Sequence, residues 1–354
     1  PTLVGLIVAI PIMVRILATA PLLSLADRSV GVRLLLLASH GGQIVGFPLL
    51  MLADGSIAIM ALVALIAVAQ SAVIPANDLV TTMAVQRNPG LNYGLIRGFG
   101  SVAFFFTNIA AGYMVGWYGA DVVVVALALI PLLGITATLI AVPGEGPERP
   151  VQAGAGGGEP SPALPGVLWL VMIAAAITQG SHGALNAFAS IHWRSLGFSD
   201  AVIGYFWAAG VIAEILVFMF LGRAVGRGSG VGLILAGSAA AAIRFTIMSL
   251  DPGLGLTLAL QVLHCLTFAA THIGTMAALT ALSPAHARGR AQGIYGSLAA
   301  LATAVSTVAS GVIYKEGGGL VFAAMAPLGA LGLVLTLVAV RLMRAQPQRA
   351  GSGG

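Results

Sequence analysis

Charged residues are scarce in this sequence of 354 residues. Lysine, arginine, aspartate and glutamate together make up 8% of it, whereas soluble globular chains carry roughly 25%. So few charges cannot cover a water-facing surface, which argues against a soluble enzyme of any class. Disorder is excluded for the opposite reason, because hydrophobic residues make up 58% of the chain.

Cysteine and lysine each occur once. With Cys265 alone, the chain can form neither an intrachain disulfide nor a cysteine-based zinc or iron–sulfur site. The one lysine, Lys315, follows Tyr314 and not a glycine-rich run, so the sequence lacks a Walker A loop and does not use ATP through one. The motifs H-E-x-x-H, G-x-S-x-G and G-x-G-x-x-G are also missing. We therefore expect no metal site, no cofactor and no enzyme activity.

Long apolar segments dominate the sequence instead. The mean hydropathy is +1.01, and stretches of about 20 apolar residues, enough to span a bilayer, recur from end to end. The sequence predicts an all-α membrane protein with about eleven spans in the lipid bilayer. The predicted segments are roughly 3–25, 34–53, 57–85, 94–117, 120–142, 166–190, 201–222, 231–250, 254–282, 291–314 and 319–343.

Basic residues predict the orientation of these spans. Twelve arginines fall on alternate connections and in the C-terminal tail, whereas the opposite connections hold only Arg194 and Lys315. By the positive-inside rule, the long connector and the C-terminus are cytoplasmic, and we expect the chain to lie in the inner (cell) membrane. Arginines distributed in this way are a topology signal, so nucleic acid is not an expected partner.

A polar connector divides the chain into two halves. Residues 143–165 form a glycine-rich, charged linker, with five spans before it and six after it. Transporters are often built from paired six-span halves, so we expect one further span before Pro1. The expected organisation is an N-terminal half at 1–142 (spans 2–6), the cytoplasmic linker, a C-terminal half at 166–344 (spans 7–12) and a polar tail at 345–354.

Few ionisable residues lie inside the spans. A charge at the bilayer centre costs roughly 2.5–3.5 kcal/mol, so such residues usually face the bundle interior, pair with one another and mark a transport path. Glu214, Arg244 and His264 fall on three consecutive spans, which favours a functional site over ion pairs that only lock helices together. The other candidates are Arg15, Asp78 and His272 and, nearer span ends, His182 and Arg97.

A proline marks a second candidate site. Pro75 lies within a predicted span and removes one backbone hydrogen bond, so the polar residues after it, Asn77 and Asp78, are placed to line a cavity. Arg97 comes early in the next span and could neutralise Asp78. The alternative is that Asp78 lies in the interface at the cytoplasmic end of its span.

The loop Leu25–Arg33 resembles the signature between spans two and three of the major facilitator superfamily. The resemblance implies a major facilitator fold of two six-helix halves. It also implies that Asp27, Arg28 and Arg33 belong to a loop that takes part in conformational change. The position of the loop agrees with one span before Pro1.

Longer stretches resemble a narrower group within that superfamily, the phenylpropionate permease family. The resemblance runs over nearly the whole chain and implies a secondary transporter of small organic solutes. The matching stretches are Asn92–Ser101, Gln179–Gly183, Gly210–Glu214, Ile243–Met248 and Gln261–Phe268.

That family is similar to lactose permease, a proton-coupled sugar symporter, and the similarity implies roles for individual residues. Glu214, Arg244 and His264 match the coupling residues of spans eight, nine and ten, but Thr267 stands where a further glutamate is expected. In the N-terminal half, the substrate-binding acid, arginine and stacking aromatic are matched by Asp78, Arg97 and Phe104. Arg15 is a further candidate for the substrate site, and His182, His272 and Asn77 are additional candidate site residues.

The predicted function is proton-coupled uptake of a small organic solute by alternating access. Arg15, Arg97 and Arg244 against Asp78 and Glu214 leave one excess positive charge (3 − 2), which favours an anion such as an aromatic carboxylate. Alternatives with the same fold are a sugar or nucleoside symporter and a drug or metabolite exporter. A membrane-embedded enzyme would need a catalytic cluster near one interface, and a receptor would not need titratable groups at mid-membrane. We expect a monomer.

Overall fold

The computed structural model describes residues 1–25, 31–88, 90–91, 93–142, 163–224, 230–284 and 287–345, in which all regular structure is helical. Asp27, Arg28, the side chain of Arg97 and most of the predicted linker lie outside this described part. The helices are α1 (Thr2–Leu25), α2 (Val32–Met51), α3 (Ser56–Ser71), α4 (Val73–Arg87), α5 (Tyr93–Tyr118), α6 (Asp121–Ala141), α7 (Gly166–Gly180), α8 (Gly183–Ser195), α9 (Asp200–Ala224), α10 (Gly230–Met248), α11 (Leu254–Val262), a π-helix (Cys265–Ala270), α12 (Thr271–Leu282), α13 (Arg288–Gly317), α14 (Leu320–Ala323) and α15 (Ala326–Ala345).

The predicted spans coincide with these helices. Ten described helical segments are long and apolar enough to cross a membrane, and they overlap ten of the eleven predicted segments. The remaining segment, 94–117, is covered by the 26 residues of α5, which at 1.5 Å per residue are about 39 Å long. The prediction of an all-α, multi-pass membrane protein is confirmed.

The proline in the third predicted span breaks that span in two. Helix α3 ends at Ser71 and α4 begins at Val73, because Pro75 has no N–H to donate to the carbonyl of Ser71 four residues earlier. The hydroxyl Oγ1 of Thr19, on α1, lies 3.2 Å from that Ser71 carbonyl oxygen and 2.7 Å from the Arg15 carbonyl oxygen. A neighbouring helix therefore meets the carbonyl that the proline leaves unbonded.

Two further spans are not the continuous α-helices that their hydropathy suggests. The span at 166–195 changes helix between Gly180 and Gly183, and the span at 254–282 contains the π-helix. A Cβ at Gly183 would lie 2.6 Å from the backbone nitrogen of Thr307 on α13, so only glycine allows this close approach. π-Helical turns widen the backbone and are frequent at functional sites.

By its contacts, the chain divides into two compact units, Pro1–Glu159 with Trp193–Ala208, and Pro160–His192 with Ala209–Gly354. In the first unit, α2 packs against α3 and α6, and α1 packs against α3. The guanidinium of Arg33 donates from Nη2 to the Leu139 carbonyl at 3.3 Å and so binds the last turn of α6. Of the three residues predicted to act in the loop, Arg33 is the one that lies within the described part of the chain.

In the second unit, α7 packs against α10, α13 and α15. Its buried face, Leu168, Val171 and Met172, belongs to the core of this unit. The hydroxyls of Thr178 and Ser238 hydrogen-bond at 2.8 Å between α7 and α10, beside Gly332 of α15. Small and hydroxyl-bearing residues at these crossings let the helices approach closely, as is usual in membranes.

Candidate functional site

A cluster of polar side chains lies inside the second unit around Arg244, which is 0% exposed. We call it the Arg244 cluster. Helix α10 carries Arg244 at the fifteenth of its 19 residues. The surrounding residues come from α9, from α11 and the π-helix that follows it, and from the turn between α7 and α8. Its members are Arg244, His182, Glu214, Gln261, His264 and Thr267.

The guanidinium of Arg244 donates to three neutral side chains. Nη2 donates to Gln261 Oε1 at 2.9 Å, and Nη1 lies 3.1 Å from His264 Nδ1 and 3.3 Å from Thr267 Oγ1. Its carbon Cζ lies 5.5 Å from the centre of the Phe245 ring, a cation–π distance. Among the described residues, no carboxylate oxygen lies within 4.0 Å of this guanidinium.

The three ligands of Arg244 come from one irregular stretch of chain. Gln261, His264 and Thr267 are spaced by three residues, at the end of α11, just before the π-helix and within it. The i, i+3 spacing keeps residues on one side of a helix only over a short distance. The wider turn of the π-helix shifts that register, and Thr267 Oγ1 still reaches Arg244.

His264 lies between Arg244 and Glu214. A guanidinium can only donate hydrogen bonds, so Nδ1 of His264 accepts from Arg244, and in the neutral ring Nε2 carries the hydrogen. That nitrogen points to Glu214, with 3.9 Å between Nε2 and Glu214 Oε2. The side chains of His264 and Glu214 are 18% and 24% exposed, so they form the accessible edge of the Arg244 cluster.

His182 joins the Arg244 cluster through Thr267. Its Nε2 lies 3.0 Å from Thr267 Oγ1, and its Nδ1 lies 3.1 Å from the Gln179 carbonyl oxygen. Since that carbonyl can only accept, Nδ1 donates to it, and the neutral ring then accepts from the Thr267 hydroxyl at Nε2. Thr267, where the resemblance to lactose permease implies a glutamate, therefore contacts both Arg244 and His182.

Aromatic rings border the Arg244 cluster. His264 stacks on Phe268, with ring centres 5.4 Å apart and planes 9° apart. His182 meets His264, Phe245 and Phe268 edge to face, with ring centres 5.1 to 6.3 Å apart. Phe268 is 36% exposed, so one aromatic surface of the cluster remains accessible in this unit.

The candidates of the N-terminal half all belong to the first unit. Asp78 is half-buried and has an interaction partner, whereas Asn77, Phe104 and Arg15 are exposed. The backbone carbonyls of these last three residues accept intrahelical hydrogen bonds from the side chains of Thr81, Asn108 and Thr19, respectively. The predicted Asp78–Arg97 pair remains a prediction, because the side chain of Arg97 lies outside the described residues.

His272 also belongs to the second unit, where its ring contacts Phe218 with 6.2 Å between ring centres. Among the described residues, no group of three or more histidine, cysteine, aspartate or glutamate side chains is placed to hold a metal ion.

Sequence reasoning missed Gln261 as a ligand of Arg244. The residue is 1% exposed, and its amide supplies the shortest hydrogen bond to the guanidinium. The signal was the run Gln261, His264, Thr267, which repeats a polar residue every third position within an apolar span. Such a run identifies a polar helix face even without a charge on it.

Comparison with known proteins gives related transporters. A family model described as the MFS_1 like family matches residues 1–324. The probable 3-phenylpropionic acid transporter of Escherichia coli (strain K12) is 29% identical over 263 residues, which cover 72% of this chain and 67% of that protein.

Solved structures of transporters have the same fold. The D323A mutant of the nucleoside transporter NupG superposes with a TM-score of 0.81 at 12% identity, covering 96% of this chain and 90% of the other. A D-xylose-proton symporter superposes with a TM-score of 0.70 at 15% identity, covering 96% and 87%. At such low identity these similarities show the fold alone.

Proposed function

The chain belongs to the MFS_1 like family of membrane transporters and has the major facilitator fold, and from this premise we propose that it moves a small organic solute together with protons. It is a transporter and not an enzyme. In such folds, two halves rock about a central site and expose it to each side of the membrane in turn. We place the protein in the inner membrane as a monomer, with the linker and C-terminus cytoplasmic and without a nucleic-acid partner.

The observation that supports proton coupling is the row formed by Arg244, His264 and Glu214. One nitrogen of His264 accepts from Arg244 at 3.1 Å, and the other lies 3.9 Å from the Glu214 carboxylate. A guanidinium keeps its charge, so the titratable members of the row are the imidazole and the carboxylate. A proton that enters here changes the attraction between residues of three spans.

Glu214 is our proton carrier, with His264 as the second choice. A proton can add to His264 at Nδ1 only if the hydrogen bond from Arg244 is broken. The Glu214 carboxylate can be protonated while that hydrogen bond persists, and its side chain is the more exposed of the two. Protonation would weaken the attraction of Glu214 for His264 and Arg244, and this change would release the spans to move.

An aromatic carboxylate is the substrate class that we favour. The curated relative is named as a probable 3-phenylpropionic acid transporter, and the Arg244 cluster holds a buried guanidinium bordered by aromatic rings. In the first unit, Asp78, Arg97, Phe104 and Arg15 are proposed to contact the solute. A sugar or nucleoside symporter and an exporter of the same fold are the alternatives that the experiment must separate.

The test uses the purified full chain in proteoliposomes. We expect 3-phenylpropionate to accumulate under an inward proton gradient and to carry protons with it. Glu214→Gln, which mimics the protonated state, should keep exchange of 3-phenylpropionate across the membrane but lose accumulation against its gradient.

The matched control is Glu316→Gln, because the Glu316 side chain is 76% exposed at the end of α13. It should transport like the wild type. Proton movement at the wild-type rate in Glu214→Gln would remove Glu214 from coupling and transfer the role to His264. Accumulation of uridine or xylose in place of 3-phenylpropionate would favour a nucleoside or sugar symporter. Transport of the solute only in the direction from the cytoplasmic side to the opposite side would favour an exporter.

A further inference from the structure

We infer that Arg244 and Gln261 together form the subsite that binds the carboxylate of the transported solute. The inference deepens the proposed function and rests on it, but it assigns Arg244 to substrate binding, not only to proton coupling. It starts from buried N–H groups that have no acceptor among the described residues.

The hydrogen bonds of Arg244 leave one of its three nitrogens, Nε, without an acceptor. A guanidinium has five N–H groups in one plane. Nη1 and Nη2 donate to the neutral side chains described above. The third nitrogen, Nε, is buried and has no acceptor among the described residues. The single N–H on Nε and one N–H of Nη2 lie along the same edge of the guanidinium, which is the edge that binds a carboxylate with two parallel hydrogen bonds.

Gln261 adds two further donors beside the same group. Its Oε1 accepts from Nη2 of Arg244 at 2.9 Å. Because the guanidinium only donates, this contact fixes which end of the amide faces Arg244. The amide nitrogen Nε2 is buried, and it too has no acceptor among the described residues. The two nitrogens without an acceptor, Nε of Arg244 and Nε2 of Gln261, thus carry three N–H groups between them, and an unbonded buried donor is costly.

A carboxylate matches these donors in both hydrogen-bonding capacity and charge. It offers two oxygens and about four lone pairs, and it would supply the negative charge that no described residue places within 4.0 Å of Arg244. A buried charge is strongly stabilised when an opposite charge with good hydrogen-bond geometry reaches it. A neutral acceptor or a water molecule would satisfy the donors but would leave the charge of Arg244 unbalanced.

The edge of the cluster explains why the solute would bring a proton. Glu214 and His264 are its partly exposed members, so an arriving carboxylate approaches the carboxylate of Glu214. Two like charges in one low-dielectric site disfavour each other, and protonation of Glu214 removes that repulsion. The exposed face of Phe268 is a surface on which an aromatic body of the solute can rest.

The experiment measures binding to the purified full chain in detergent by calorimetry, without a transport step. The probes are 3-phenylpropionate and benzoate, each compared with its uncharged amide. We expect each carboxylate to bind about tenfold or more tightly than its amide, as is typical for one charged hydrogen-bonding partner. In weakly buffered solution, binding of the carboxylate should also take up protons.

Two substitutions test the subsite itself. Gln261→Glu places a carboxylate of the chain next to Nη2 of Arg244, so it should abolish carboxylate binding by occupying the guanidinium. Gln261→Leu removes the amide donors without adding charge and should weaken carboxylate binding about tenfold while changing amide binding little. The control is Gln43→Glu, which adds a carboxylate at a buried glutamine of the first unit and should leave the preference for carboxylates unchanged.

The outcomes separate this inference from the proposed function. If 3-phenylpropionate is transported but Gln261→Leu or Gln261→Glu binds it like the wild type, the subsite is wrong and transport stands. If the wild type binds carboxylates and Gln261→Leu binds them more weakly, yet no solute moves in proteoliposomes, the subsite stands and the proposed transport fails. Equal binding of acid and amide, or no binding of either carboxylate, would overturn the inference.

Discussion

Thr267→Val removes one oxygen from the Arg244 cluster while keeping the shape of the side chain. Thr267 is 0% exposed, and its hydroxyl lies 3.0 Å from His182 Nε2, 3.3 Å from Arg244 Nη1 and 3.2 Å from the His264 carbonyl oxygen. Arg244 Nη1 keeps His264 as an acceptor, but Nε2 of His182 loses its hydrogen-bond donor. We therefore expect destabilisation from one buried nitrogen left unbonded.

The magnitude follows from that single loss. A buried polar group without a partner costs about 1–3 kcal/mol, and hydrogen bonds between membrane helices average about 0.6 kcal/mol with a maximum near 1.7. We expect Thr267→Val to cost about 1–2 kcal/mol. For a unit of this size, that lowers the midpoint of thermal unfolding by roughly 2–8 °C.

The assay compares two identical substitutions in the same detergent, followed by tryptophan fluorescence. Thr307 is also 0% exposed, but its hydroxyl has no partner among the described residues. Thr307→Val therefore removes an unbonded polar atom and should be neutral or slightly stabilising. Thr267→Ser, which keeps the hydroxyl, should have an unfolding midpoint close to that of the wild type. If Thr267→Val lowers the midpoint no more than Thr307→Val does, the hydrogen bonds assigned to Thr267 do not stabilise the second unit.

The remaining predictions concern close packing at glycines. Gly183→Ala should destabilise by about 1–3 kcal/mol, because its Cβ would lie 2.6 Å from the Thr307 backbone nitrogen. On α10, a Cβ at Gly232 would meet no atom within 4 Å, so Gly232→Ala should instead stabilise by about 0.5–1 kcal/mol. A lower midpoint of thermal unfolding for Gly232→Ala than for Gly183→Ala would contradict the close approach of α8 and α13. Gly319→Ala should weaken the 2.6 Å contact of His192 Nε2 with Asp251 Oδ1, since its Cβ would lie 2.7 Å from that oxygen. The control is Gly253→Ala, because Gly253 has open space around it. If the loops next to His192 and Asp251 are proteolysed at equal rates in both variants, the contact between these two residues does not hold the loops in place.

Hydropathy predicted the spans because bilayer thickness imposes a length on every one of them. The breaks inside the spans were harder to predict, since each depends on a neighbour. Pro75 identified one break in the sequence, but the contact of Thr19 with the Ser71 carbonyl comes from packing between α1 and α3. The π-helix before α12 has no proline to mark it, and nothing in its sequence predicted the wider turn.

The charged and ionisable members of the candidate site were predictable from the sequence. Glu214, Arg244 and His264 were identified by the cost of placing ionisable groups in lipid, and the structure brings them into one cluster. Their order was not predictable, because opposite charges alone suggest a direct pair of Glu214 with Arg244, whereas His264 lies between them. Uncharged ligands such as Gln261 carry little sequence signal, and only the fold shows that its amide faces the guanidinium.

Thr267 links the chemistry of the cluster to the choice of solute. A glutamate at this position, next to Nη1 of Arg244, would give the guanidinium a permanent counter-ion within the chain. Threonine gives it only a neutral acceptor at 3.3 Å, and the other ligands, Gln261 and His264, are neutral acceptors as well. A buried cation held by neutral groups is stabilised most by an anion that comes from outside. The neutral side chain of Thr267 therefore fits the proposed site, in which the solute supplies the negative charge and Glu214 carries the proton.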